Sequence, residues 1–177
     1  MDTVILTKED CEFILSNLDY SKFKQGKSTV HDIATIEGED IKVRFRKENS
    51  ATFILIRDGV IMNFLFEKLK SKLNLVNLPT FKIMKYEIGD GMANHQDFDK
   101  YGASPIYKSI SIQLSDSSHY TGGDLILEGQ VQPRTQGYIS IFNPTQEHGI
   151  TNVISGTRLA IVIFFEEADF NISKSII

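Results

Sequence analysis

Ser109-Ile110-Ser111-Ile112-Gln113-Leu114 alternates strictly, with small or polar residues at odd positions and aliphatic ones at even positions. A period of two belongs to a β-strand with one face on a core and the other in a wetter setting, either solvent or a polar interior. The same period recurs on both sides of this segment. Phe81 to Glu87, Tyr107 to Leu114, Asp124 to Glu128, Tyr138 to Phe142 and Thr157 to Phe165 all read as strands. Turn signals separate them: Gly89-Asp90-Gly91, Gly122-Gly123, Gly129, Asn143-Pro144 and Gly156.

Upstream of Thr80 the period is helical. Thr7 followed by Asp10 is an N-cap signal, and Ile14, Leu15 and Leu18 then follow at helical spacing, predicting a helix from Lys8 to Leu18. Ile61, Phe64, Leu65, Leu69 and Leu73 form the apolar stripe of a second helix over 58–73. Helices followed by many short strands predict a mainly β protein with flanking α-helices, a sandwich or a barrel.

Composition limits the function. The 177 residues carry 19 basic and 23 acidic side chains, a net charge of −4, which argues against a general nucleic-acid binder. The longest apolar run, Leu159 to Phe165, has seven residues, against the roughly 18 that a membrane-spanning helix needs. The opening MDTVILTKED lacks the pattern of a signal peptide, so an intracellular, cytoplasmic setting is expected. A lone cysteine, Cys11, excludes an intramolecular disulfide and a cysteine-rich zinc site.

Chemistry enters with the histidines. His95 stands two residues before Asp97, and on an extended segment positions i and i+2 point to the same side. One imidazole and one carboxylate can therefore converge on a point, and His148, 51 residues further on, can complete a two-histidine, one-carboxylate face. Such a face leaves coordination positions open and is typical of non-haem Fe(II) oxygenases. Ten residues after His148, Arg158 opens the apolar strand RLAIVIFF. A charge there needs a partner, and a carboxylate-bearing cosubstrate would supply one through arginine's two-pronged geometry.

Together, KYEIGDGMANHQDFD, SISIQLSD followed by YTGGDLILEG, and FNPTQEHGITNVISGTRLAIVIFF resemble the 2-oxoglutarate- and Fe(II)-dependent dioxygenases, in their prolyl 4-hydroxylase-like branch. The resemblance covers about residues 80–166. It implies a double-stranded β-helix (jelly-roll) barrel within a single domain spanning 1–177. Residues 1–79 would supply N-terminal helices and supporting strands, 80–166 the catalytic core and 167–177 a C-terminal tail. It further implies that His95, Asp97 and His148 bind Fe(II) and that Arg158 holds the distal carboxylate of 2-oxoglutarate. Tyr86 would lie near that cosubstrate. Gln113 stands where relatives often carry an aromatic partner of the same carboxylate, and Met92 where many carry an aromatic residue. Asp97 favours hydroxylation, since related halogenases have a small residue there.

The implied reaction consumes O2 and 2-oxoglutarate and releases succinate and CO2, with ascorbate as the expected reductant. Because both histidines must be neutral to ligate, activity should fall below about pH 6. Ser109, Ser111 and Gln113 would form the inward face of a barrel strand, with Phe164 as a wall. The basic segment containing Arg44, Arg46 and Lys47 is read as a loop that could contact substrate. A peptide or protein carrying the target proline is the expected partner, with no membrane. The alternatives are a free amino acid, another side chain or a nucleobase, the last disfavoured because Phe164 stands where base-demethylating relatives usually carry a second arginine. A non-catalytic, cupin-like metal-binding barrel is the reading from a different class.

Overall fold

The computed structural model describes residues 3–25, 51–97, 106–169 and 171 in full, and 28–36 and 39–47 by backbone alone. The N-cap signal is realised: Thr7 and Asp10 form a reciprocal capping box at the start of α1 (Lys8–Ser16). Helix α2 (Gly59–Leu69) ends before the stripe does, because the chain turns at Asn74 with φ 53°; Leu73 still packs in the core. The two helices are tied by Lys68 Nζ, 2.7 Å from Asp10 Oδ1.

The strands of the large sheet are β1 (Lys24–Gln25), β4 (Thr52–Ile56), β5 (Phe81–Tyr86), β7 (Ile106–Gln113), β11 (Ile139–Phe142) and β14 (Arg158–Glu166). They lie in the order β1-β4-β5-β14-β7-β11, antiparallel throughout. A four-stranded sheet has the order β10-β9-β12-β6, formed by β6 (Met92–His95), β9 (Leu125–Leu127), β10 (Gln130–Val131) and β12 (His148–Ile150). A further pair joins β8 (Tyr120–Gly122) to β13 (Val153–Gly156), and another joins β2 (Ser28–Ile36) to β3 (Glu39–Lys47). The structure thus carries the double-stranded β-helix with helices flanking one side.

Alternation in β5, β7 and β14 sorts the two faces of the large sheet. Phe81 and Ile83, Ile110 and Ile112, and Ile161, Ile163 and Phe165 pack with Cys11, Ile14, Ile61, Leu65 and Leu69 of the helices in one apolar cluster. The opposite positions turn toward the small sheet, where Met84 and Tyr86 meet Leu125, Ile150 and Val153. Ser109, Ser111 and Gln113 are all buried, so the wetter face of the opening hexapeptide is a polar interior and not bulk solvent.

The predicted loop carrying Arg44 and Arg46 is instead strand β3, paired with β2 from Ser28↔Lys47 to Ile36↔Glu39. The cue was there: Ile41, Val43 and Phe45 alternate with Lys42, Arg44 and Arg46, the period of a strand, and the basic residues masked it. The side chains of Arg44 and Arg46 lie outside the described residues, as do Asn49, Ser50 and the 172–177 part of the tail.

Candidate active site

Both sheets contribute to one cavity of about 600 Å³. The small sheet delivers two histidines at the same level, since β6 and β12 pair with His95 opposite His148. Their rings lie 4.3 Å apart between centroids. Such close pairing needs a bare backbone next door: a Cβ on Gly149 would come within 2.8 Å of Met92 O and 3.0 Å of Asn94 N.

Asp97, just past β6, lies between the imidazoles. Its Oδ1 is 3.6 Å from His95 Nε2 and its Oδ2 is 3.5 Å from His148 Nε2. One donor atom from each of the three residues falls within 4.8 Å of the others. The tautomers follow from the opposite ring edge. His95 Nδ1 is 2.9 Å from Ala93 O and His148 Nδ1 is 3.0 Å from Gln146 O. A carbonyl only accepts, so each Nδ1 carries a hydrogen, and once a ring is neutral its Nε2 lone pair faces the shared point. Two nitrogens and one oxygen arranged in this way fit a divalent first-row metal with open positions.

Electrostatics agree with that geometry. Burial alone would raise the Asp97 carboxyl, but hydrogen bonds from His148, His95 and Ser109 hold it well below the usual carboxylate range. Ser109, fully buried on β7, donates from Oγ to Asp97 Oδ2 at 2.6 Å. Burial disfavours charge on His95, yet hydrogen bonds to Asp97 and to the Ala93 carbonyl outweigh it and put its pKa above 6.5. A metal must displace that proton, so affinity should rise with pH, over a range shifted upward from that of a free imidazole. Isothermal titration with Mn(II) in two buffers of different ionisation enthalpy should show proton release on metal binding at mildly acidic pH, fading as pH rises. In the metal-free chain the sign is opposite: the stability contributed by protonated His95 is full below the unfolded value and is lost as pH rises through the folded one.

At the inner end of the cavity Arg158, 3% exposed, begins β14 opposite Tyr86, its guanidinium carbon 5.3 Å from the Tyr86 ring centre. Among the described residues Arg158 has no carboxylate partner. The Gly122-Gly123 turn is drawn in against it: Gly123 has φ +64°, and a Cβ there would lie 3.1 Å from Arg158 Cδ. Burial pushes the Tyr86 phenol up, partly offset by Arg158, so it stays a neutral hydrogen-bond donor.

Ser111 and Gln113 reach the same recess, but Gln113 is already committed. Its Nε2 donates to Tyr120 Oη at 2.8 Å and to Ser115 O at 3.2 Å. Because the Tyr120 oxygen accepts from Gln113, its own O–H is free to donate into the recess that it lines with Arg158, Ser111 and Ser140. Tyr120 is buried, its ring lies 4.3 Å from the Arg134 guanidinium carbon, and Arg134 Nη2 donates to Tyr120 O at 2.8 Å. Sequence reasoning passed over Tyr120, although it stands two residues before the Gly122-Gly123 turn. Phe164 lines the outer wall as expected, His119 is exposed, and Glu147 is exposed and accepts from Asn94 Nδ2 at 3.0 Å.

The chain is 25% identical over 153 residues to a PKHD-type hydroxylase of Idiomarina loihiensis, an alignment covering 84% of this chain and 68% of that protein. It is 33% identical over 104 residues to one of a Synechococcus species, covering 55% of this chain and 46% of the relative. The chain thus spans about two thirds of the length of the curated relatives it matches most fully. No family model matches it. The curated relatives that the chain resembles are named PKHD-type hydroxylases. Solved structures with this fold include a Pseudomonas putida prolyl-4-hydroxylase, with TM-score 0.64, 14% identity, and 93% of this chain and 89% of that one covered. A Trichoplax adhaerens prolyl hydroxylase, in complex with a peptide fragment of the hypoxia inducible factor oxygen degradation domain, also has TM-score 0.64 at 14% identity, covering 99% and 86%. The donor set of His95, Asp97 and His148 fits a divalent metal such as Fe(II). Among the described residues no helix is long and apolar enough to cross a membrane.

Proposed function

We propose that this chain is a 2-oxoglutarate- and Fe(II)-dependent dioxygenase that hydroxylates a prolyl residue in a peptide or protein in the cytoplasm, on a single domain, with release of succinate and CO2 and with ascorbate as reductant. One observation carries the reading: a two-histidine, one-carboxylate cage opens into a cavity whose inner end holds a buried arginine without a carboxylate partner among the described residues. The relatives named as PKHD-type hydroxylases and the peptide-bound Trichoplax enzyme support the prolyl peptide as substrate.

Each residue then has a task. Bound Fe(II) and 2-oxoglutarate would supply the oxidising chemistry that activates dioxygen toward an unactivated C–H. His95, Asp97 and His148 would hold the iron, and Ser109 keeps Asp97 turned toward it. Arg158 would grip the distal carboxylate through two N–H groups, beside Tyr86 and Ser111. Gln113 acts through Tyr120, whose free O–H would donate to the same carboxylate. Apolar groups, Met84, Leu125, Phe142, Ile150 and Phe164, wall the cavity and keep it dry.

The test begins with anaerobic Fe(II) and 2-oxoglutarate, which should give a visible charge-transfer band. Aerobic incubation with proline-containing peptides should then give succinate and a gain of one oxygen on the peptide. A band without any oxygenated peptide would remove the prolyl assignment, and absence of the band would return the chain to a binding barrel. Tyr120→Phe should raise the 2-oxoglutarate concentration needed for half-maximal succinate formation by roughly tenfold, the worth of one hydrogen bond to a charged group. An unchanged requirement would remove Tyr120 from the cosubstrate site.

A further inference from the structure

The cavity wall contributed by the large sheet is a ladder. Arg158 stands opposite Tyr86, Ala160 opposite Met84, and Val162 opposite Lys82, while β7 places Ser111 beside Val162 and Ser109 beside Phe164. Three charged residues besides the histidines line this cavity among the described residues: Asp97, Arg158 and Lys82. The reading above uses the first two. Lys82 has no task in it.

Among the described lysines Lys82 alone lines this cavity, and it differs from those that are paired with an acid. Lys8, Lys22, Lys68, Lys70 and Lys85 each sit within 4.0 Å of a carboxylate. Lys82 has no such partner among the described residues. Its ammonium lies instead between two phenyl rings, 5.6 Å from the centre of Phe53 and 5.4 Å from the centre of Phe164, both of which also line the cavity. Attraction to the ring faces offsets part of the lost hydration and holds the cation at the cavity wall. The same rings exclude water and so strengthen any charge pair formed there.

We propose that Lys82 is a specificity-determining residue that receives a carboxylate of the substrate, so the favoured substrate is acidic close to the oxidised carbon. This rests on the prolyl-hydroxylase reading and narrows it. Lys82 is level with Ser111, two strands away, and Ser109, which holds the metal-facing carboxylate, is two residues further along β7. Strand spacing and rise put the Lys82 and Ser109 backbones roughly 12 Å apart. In an extended peptide that span places the acidic group within about three residues of the target proline.

The carboxylate could belong to an Asp or Glu side chain of a peptide or to a free amino-acid derivative, and one binding experiment separates them. The full chain, with Mn(II) and 2-oxoglutarate present, is titrated calorimetrically with a blocked proline peptide bearing Asp, its Asn and Lys counterparts, and N-acetyl-aspartate. Wild type should bind the Asp peptide about five- to tenfold more tightly than the Asn peptide. Lys82→Met, which keeps the aliphatic stem, should lose that preference, and Lys82→Glu should favour the Lys peptide. A preference that survives both substitutions, a wild-type difference below about twofold, or no binding by any probe overturns the proposal. Lys82-dependent binding of N-acetyl-aspartate alone supports the carboxylate and assigns it to a free acid. An Asp peptide that binds through Lys82 but gains no oxygen on aerobic incubation would remove the prolyl reading while leaving Lys82 in place. Oxygen gained equally by Asp and Asn peptides would do the reverse.

Discussion

Asp97→Ala is expected to abolish succinate formation and to weaken divalent-metal binding by at least a hundredfold. Asp97 is the one oxygen donor of the cage, set between two imidazole nitrogens at 3.5 and 3.6 Å. Without it, the remaining nitrogens cannot make a three-point face, and two basic rings are left 4.3 Å apart with no anion between them. The variant should therefore move a second observable. In the metal-free chain the Asp97 hydrogen bond is the leading influence raising the His95 pKa against its burial, so an NMR titration should show that value falling. Ser109→Ala should behave as a weaker copy, costing about ten- to a hundredfold in metal affinity through loss of the bond that orients Asp97. Full turnover in Asp97→Ala would dismantle the site.

Arg158→Met should separate stability from cosubstrate binding. A guanidinium 3% exposed, facing an aromatic ring and no carboxylate among the described residues, is costly to the empty protein. Methionine fills much of the same space without the charge, so the variant should melt no lower than wild type in the absence of 2-oxoglutarate. Adding 2-oxoglutarate should then raise the melting temperature of wild type and move the variant far less, because the arginine supplies the buried charge that would face the distal carboxylate in the recess. The concentration needed for half-maximal turnover should rise a hundredfold or more, the scale of removing one member of a buried charge pair. A variant with an intact thermal shift would place the carboxylate elsewhere.

Much of this site was visible in the chain before folding. His95 and Asp97 share a side of an extended segment, and Arg158 is conspicuous because the strand behind it is wholly apolar. The hexapeptide at 109–114 correctly announced a sheet with one apolar face and one polar interior face. What stayed hidden has physical causes. Strands β6 and β12 are short and built from ligands and glycine, MANH and HGI, so they carry no hydrophobic period. In β3 the alternation was present but read as a basic loop because charge drew the eye from spacing. Tyr120 and Lys82 could not be singled out locally. Each gains its meaning from residues distant in sequence: Tyr120 from Gln113 and Arg158, Lys82 from Phe53 and Phe164.

Strand β14 lies between β5 and β7 at the centre of the large sheet, yet it is the last strand of that sheet to leave the ribosome. Until it arrives, β4-β5 and β7-β11 are separate ribbons, each with an unsatisfied edge and an apolar face turned toward the helices. At ordinary synthesis speeds the 53 residues from Gln113 to Glu166 take roughly 3–10 s to make. The nascent chain must wait that long with both edges open, and a product truncated before Arg158 would keep them open. Such fragments should depend on chaperones and aggregate readily, so a nonsense mutation at the Arg158 codon should behave as a solubility defect before it is a catalytic one.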